Sequence, residues 1–255
     1  MKLPIPCMQC FDRFGKSAEQ LMRVEMRDDG LYSATCERGH TTTTVLQEEK
    51  YEVLFDLAAM ALLDGYPREA IVGMASALER FYEFYLRVLA SKHAVDDVAF
   101  ASAWKLLDSS SERQFGAYLL GAPVDRPDAP PRTIDNDRPD VPGVAKNKIR
   151  TWREFRNAVV HKGYIPAESE ALAYGDLVYG HICQISRELN ETDREHVEKV
   201  MFKRLVKGHE GIPGNVVSTL SIPTLLSVTR GSGPAATLTE AMKQLEQYRD
   251  GVHRR

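Results

Sequence analysis

Two short pairs of metal-ligating residues stand near the start of the chain. Cys7 and Cys10 are separated by two residues, Cys36 and His40 by three. Tetrahedral zinc takes four thiolate or imidazole ligands, and a two-residue spacer lets two thiolates face one ion. Gly39, next to His40, is the residue a tight knuckle favours. The set predicts a structural Zn2+ held by Cys7, Cys10, Cys36 and His40, with His40 departing from the Cys-x2-Cys form of the first pair. A redox Cys-x2-Cys would want a βαβ context and would leave Cys36 and His40 unexplained. A catalytic zinc needs an open coordination position, which four protein ligands close. Cys183, among Tyr179, Ile182 and Ile185, reads as core.

The second region with chemical potential is GVAKNKIRTWREFRNAVVHKGYIP, Gly143–Pro166. From Gly143 to Ile165 it has six Lys or Arg against one acid, Glu154, on a chain whose net charge is −3. At 100° per residue Ile149, Trp152, Phe155, Val159 and Val160 form an apolar arc. Lys146, Arg150, Arg153, Asn157 and His161 form a polar stripe, with Asn157 and His161 neighbours at i and i+4. Arg156 falls within the apolar arc, where a guanidinium must be paired. Glu79, at the edge of the apolar stripe of an upstream helix, is a candidate partner.

The elements that position these groups follow from periodicity. Residues 1–46 read as β. Leu21–Arg27 and Leu31–Cys36 flank Asp28-Asp29-Gly30 as a hairpin, and Thr41–Leu46 is a third strand. Helices are predicted over Glu48–Leu63, Pro67–His93, Val98–Leu107, Glu112–Leu120, Val144–Gly163, Ala167–Leu189, Asp193–Lys207 and Thr239–Arg249. Residues 122–142 carry six prolines and five aspartates and read as a long exposed loop. Residues 208–236, rich in Gly, Pro, Ser and Thr, read as extended. Three parts result: 1–46, 47–207 and 208–255.

Composition bounds the rest. The chain has 255 residues, 43% hydrophobic and 27% charged, values of an ordinary globular protein able to bury a core. The acidic balance excludes a wholesale basic coat but not a local basic patch. No apolar run reaches a membrane span, and the N-terminus lacks a signal-peptide core, so a cytoplasmic protein with no membrane partner is expected.

Residues 1–46 resemble a zinc ribbon. RNAVVHKGY, Arg156–Tyr164, resembles the Arg-x4-His motif of the HEPN superfamily, with the polar residue that often follows the arginine. REAIVGMASALERFYEFYLR, Arg68–Arg87, resembles that family's long second helix. The resemblance spans roughly 48–207 and implies a mostly α protein, a HEPN-like helical bundle behind a small N-terminal β zinc ribbon. It also implies a homodimer whose two motif helices form one composite, metal-independent ribonuclease site. Arg156, Asn157 and His161 are the matching positions. A second spacing, Arg204…His209, has Leu205 after the arginine and no comparable aromatic and basic context. One related subfamily has a tyrosine two residues after the histidine. Here Tyr164 is three after it, so tyrosine modification is not carried over.

On this resemblance the chain is expected to be an endoribonuclease, serving as a toxin or in defence against phage. His161 would act as general base or acid, Arg156 would neutralise the phosphorane-like transition state, and Asn157 would orient phosphate or histidine. Lys146, Arg150, Arg153 and Lys162 would hold the RNA backbone. The ribbon would recognise nucleic acid or a partner protein. The alternative is a non-catalytic adaptor or sensor for a partner protein, a nucleotide or RNA. A zinc hydrolase is a distant third.

Overall fold

The computed structural model describes residues 2–16, 20–135, 137, 139, 149–209, 216–227 and 237–253. Of these, 61% are helical, and a small β structure stands at the N-terminus. Among the described residues no helix is long and apolar enough to cross a membrane. The chain divides into two compact units. The first is Met1–Glu48 with Glu198–Pro223, and the second is Glu49–Val197 with Thr224–Arg255.

The first unit begins with β1 (Lys2–Ile5), α1 (Met8–Phe14), β2 (Met22–Glu25), β3 (Leu31–Thr35) and β4 (Thr41–Leu46). The expected hairpin across Asp28-Asp29-Gly30 does not form. β2 pairs antiparallel with β1, placing Lys2 opposite Glu25, and β3 pairs antiparallel with β4. The turn itself is present. Gly30 has φ +66°, and Asp29 accepts the Leu31 N–H at 3.0 Å and pairs with Arg27 at 2.8 Å. It passes the chain from one sheet to the other, because β3 finds its partner across the Cys36–His40 turn instead. β5 (Val216–Leu220) adds parallel to β4, so the segment after residue 208 supplies a strand to this sheet. β4 is therefore central. Its Thr42, Thr43 and Thr44 are buried, and Thr44 Oγ1 meets Ser218 Oγ at 3.0 Å.

In the second unit α2 (Lys50–Leu63) and α3 (Pro67–Lys92) form the central pair. Glu52 closes the α2 N-terminus by accepting the Glu49 N–H at 2.7 Å. Gly73 lets the pair approach closely, since a Cβ there would lie 2.8 Å from Ala58 Cβ. Around them stand α4 (Asp97–Trp104), α5 (Ser111–Asp125), α6 (Trp152–His161), α7 (Glu168–Thr192) and α9 (Leu238–His253). α8 (Arg194–His209) runs on into the first unit. Tyr51, Phe55, Phe81, Tyr82, Phe155 and Tyr179 fill the core. Cys183 is buried and free, as expected of a core residue.

Two expectations need correction. The basic helix starts at Trp152 rather than Val144, because Thr151 caps it by accepting the Glu154 N–H at 3.2 Å. Ile149 and Arg150 precede it without helical structure, and residues 140–148 lie outside the described residues. The segment 122–142 is also not wholly exposed. α5 extends through Pro123 to Asp125, and Ile134 and Asp135 are buried. Aspartates made the segment read as solvated, but Ile134 anchors it.

Candidate functional site

The first pair of cysteines sits at a strand-to-helix junction, with a helix inside residues 1–46, which were expected to be β. Cys7 is the N-cap of α1 and Cys10 lies in its first turn, so the helical i, i+3 relation turns both thiols to one side. The second pair closes the β3–β4 hairpin. Cys36 N–H donates to the His40 carbonyl at 3.0 Å, Gly39 N–H donates to the Cys36 carbonyl at 2.9 Å, and Gly39 has φ +78°. Gln9 Nε2 donates to the Thr41 carbonyl at 3.3 Å, tying α1 to the hairpin.

The ligand atoms of Cys7, Cys10, Cys36 and His40 all lie within 4.8 Å of one another. Cys10 Sγ is 3.9 Å from Cys36 Sγ and 3.3 Å from His40 Nδ1, and Cys7 Sγ is 3.9 Å from His40 Nδ1. A tetrahedron with Zn–S near 2.3 Å sets its S···S edges at about 3.8 Å. The donor set therefore fits one metal ion bound by three sulfurs and Nδ1. The three cysteines are buried and Met22 packs against them. Without metal, burial and the Cys7 and Cys36 thiols push the Cys10 thiol up to about 11. Burial works the same way on Cys36, but hydrogen bonds from the backbone N–H groups of His40 and Arg38, together with the Cys7 and Cys10 thiols, outweigh it and hold that thiol below its usual value. A dicationic metal would reverse the disfavoured ionisation at Cys10. Phe14 stacks on the His40 ring at 6.5 Å, and the Arg38 guanidinium lies 4.8 Å from the Phe14 centroid.

The Arg-Asn…His motif lies on α6. Trp152, Phe155 and Val159 are buried, and Tyr174 of α7 meets Trp152 at 5.8 Å and Phe155 at 6.0 Å. This packing fixes the rotation of the helix. The segment before it binds its start, where Trp152 N–H donates to the Asp137 carbonyl and Arg153 N–H to the Asp135 carbonyl, each at 3.1 Å. Gly163, φ +72°, ends the helix, and Tyr164 N–H returns to the Ala158 carbonyl at 3.0 Å.

His161 is exposed at the last helical position, while Arg156 and Asn157 are half-buried. Arg156 Nε and Nη2 both donate to Asn157 Oδ1, at 3.3 and 3.1 Å. The guanidinium is thus held against the side chain of Asn157, which helical periodicity places on the stripe with His161. Two carboxyls share its field. Glu79 of α3 is raised above the usual range by burial, which Arg156 opposes and Asp135 reinforces. Asp135 is raised by burial against the pull of Arg156 and Arg153. Arg153 and Lys162 are exposed on α6, Arg150 is exposed ahead of it, and Lys146 lies outside the described residues. The second Arg-x4-His spacing is structural at its arginine: Arg204 Nη2 donates to the Leu46 carbonyl at 3.1 Å and to that of Gln47.

Sequence reading passed over Asp135, whose neighbours advertise solvent exposure. It also passed over His181, a buried histidine on an apolar face of α7. Compared with family models, curated proteins and solved structures, the chain matches none.

Proposed function

We propose that the chain is a metal-independent endoribonuclease of the HEPN type, active as a homodimer and carrying a structural zinc in its first unit. The observation behind this reading is the pair of Arg156–Asn157 hydrogen bonds. Asn157 uses two of the five guanidinium N–H groups and leaves the others for a phosphate, one helical turn from exposed His161. A proton shuttle and a charge stabiliser then share one helix face.

In the reaction a histidine takes the proton of the RNA 2′-hydroxyl. The 2′-oxygen forms a bond to the adjacent phosphorus, the P–O5′ bond breaks, and the 5′-oxygen receives a proton. The products are a 2′,3′-cyclic phosphate and a 5′-hydroxyl end. Base and acid must be different groups within one turnover, and the two His161 side chains of a symmetric dimer would supply both. Arg156 stabilises the charge that develops on the phosphorane oxygens. Arg150, Arg153 and Lys162, with Lys146, neutralise backbone phosphates. Cys7, Cys10, Cys36 and His40 would close the zinc shell, so the metal holds the first unit together and takes no part in cleavage.

The test is incubation with single-stranded RNA under a brief EDTA exposure that leaves protein-bound zinc stoichiometric. Cutting is expected, with cyclic phosphate ends. His161→Ala should lose on the order of 10²–10⁴ in rate, and Arg156→Lys should also fail, since an ammonium cannot make the bidentate contact. Sedimentation should show a dimer. Full activity in His161→Ala, or a wild type that binds RNA without cutting it, rejects the enzyme.

A second reading, the non-catalytic adaptor, draws on Glu79 and Asp135. Two carboxyls in the field of Arg156 compete with an incoming phosphate. That reading expects partner binding with no cleavage.

A further inference from the structure

The second unit contains a cavity of about 740 Å³ between α3, α5, α7 and the proline-rich segment that follows α5. Ligand pockets commonly measure about 300–1,000 Å³. Its walls are largely apolar and aromatic, including Tyr85, Tyr118, Ile134 and Ile185, with Pro130 and Pro131 along the segment. These walls are held in place. Tyr118 stacks on Tyr82 at 4.1 Å, meets Tyr85 edge-on at 5.3 Å, and its hydroxyl donates to the Arg132 carbonyl at 2.8 Å.

His181 lines this cavity although it is only 8% exposed. Its Nε2 lies 3.2 Å from the Tyr82 hydroxyl, and among the described residues Nδ1 has no hydrogen-bond partner. With Nε2 turned to Tyr82, Nδ1 is the ring nitrogen left for an occupant of the cavity that His181 lines. Whichever tautomer the Tyr82 contact selects, the ring offers one hydrogen-bonding nitrogen to a ligand. Thr133 and Gln184 add further polar groups.

The charges on the wall decide the ligand class. Arg126 and Arg132 both bind Glu188, the latter at 2.9 Å, and Asp137 and Asp176 also line the cavity. On the wall itself two guanidiniums stand against two carboxylates, and Glu188 behind them pairs with both arginines, so a phosphate gains no net positive field. Aromatic walls with a neutral donor–acceptor set suit a flat, uncharged, hydrogen-bonding ring. We propose that this cavity binds a neutral heteroaromatic ligand of the nucleoside class, with His181 Nδ1 hydrogen-bonded to the ring. The site is separate from the α6 motif and does not depend on the ribonuclease reading.

Calorimetric titration of the full chain with adenosine and uridine, beside their 5′-monophosphates, tests this. One saturable nucleoside site per chain is expected, with the monophosphates weaker. His181→Ala should weaken binding about tenfold, the scale of a lost hydrogen bond. Because that variant also disturbs Tyr82, Gly180→Leu provides an independent variant. Gly180 lines the cavity, and a Cβ there meets nothing within 4 Å, so the leucine should fill the space and block binding while the fold persists. No saturable binding of either nucleoside, tighter binding of a monophosphate, or unchanged binding in Gly180→Leu overturns the proposal.

Discussion

Acid should unfold this protein partly through one histidine. His181 is buried against Tyr82 and Tyr118, with Arg132 and Glu188 as its charged neighbours. Burial, reinforced by Arg132 and opposed by Glu188, lowers its pKa from 6.5 to about 4. The unfolded chain therefore takes up a proton near pH 6.5 that the folded chain refuses until about pH 4. Stability must fall as pH drops through that window, because there the unfolded state binds more protons. The loss between pH 7 and pH 5 is roughly 2 kcal/mol, approaching roughly 3 kcal/mol near pH 4. Carboxylates titrate in the same range, so the useful quantity is a difference. His181→Gln keeps a polar group facing Tyr82 but cannot titrate. Urea unfolding of wild type and variant at pH 7, 6 and 5 should give stability curves that converge as the pH falls, by roughly 2 kcal/mol. Parallel curves would show that His181 is not buried in its neutral form, and the account of the cavity wall would fail with it.

Further outcomes follow from single groups. Freshly purified protein should contain one zinc per chain by elemental analysis, and Cys10→Ser should abolish it and expose the first unit to limited proteolysis while α2 and α3 remain protected. Thr151→Ala removes the cap of α6 and should cost about 1 kcal/mol, read as faster amide exchange at Arg153–Phe155. Asp135→Asn should raise RNA affinity roughly two- to fivefold by removing one screened carboxylate from the field of Arg156. An unchanged salt-dependent binding curve in that variant would mean that Asp135 does not oppose the phosphate.

Where a local rule fixes an element, its position was readable. Pro67 at the first turn of α3 and Gly163 after α6 mark boundaries that the structure keeps. The strand pairing was not readable, because Asp28-Asp29-Gly30 satisfies a turn whether or not its flanking strands pair. The pairing that forms instead joins β3 to β4 across the Cys36–His40 turn, whose side chains lie beside Cys7 and Cys10. That Cys7, Cys10, Cys36 and His40 gather at one point was legible because spacing limits which side chains can face it. The extended form of Val216–Leu220 was legible, but its pairing was not, since the parallel partner of β5 lies some 170 positions away in the chain.

The α6 motif shows the same division between local and distant information. Periodicity places Asn157 and His161 on one stripe and Arg156 off it, and it requires a partner for the guanidinium. It cannot say that the partner is the adjacent Asn157, because that depends on the side chain turning along the helix surface. Nor can it reveal Asp135, which reaches Arg156 only because the segment before α6 docks its carbonyls on the first N–H groups of that helix. That docking makes the acidic neighbour part of the scaffold rather than a mobile competitor. On the ribonuclease reading, a phosphate at Arg156 would meet the field of Asp135. Cleavage by this site requires that the remaining guanidinium donors, with Arg153 and Lys162 beside them, outweigh Glu79 and Asp135.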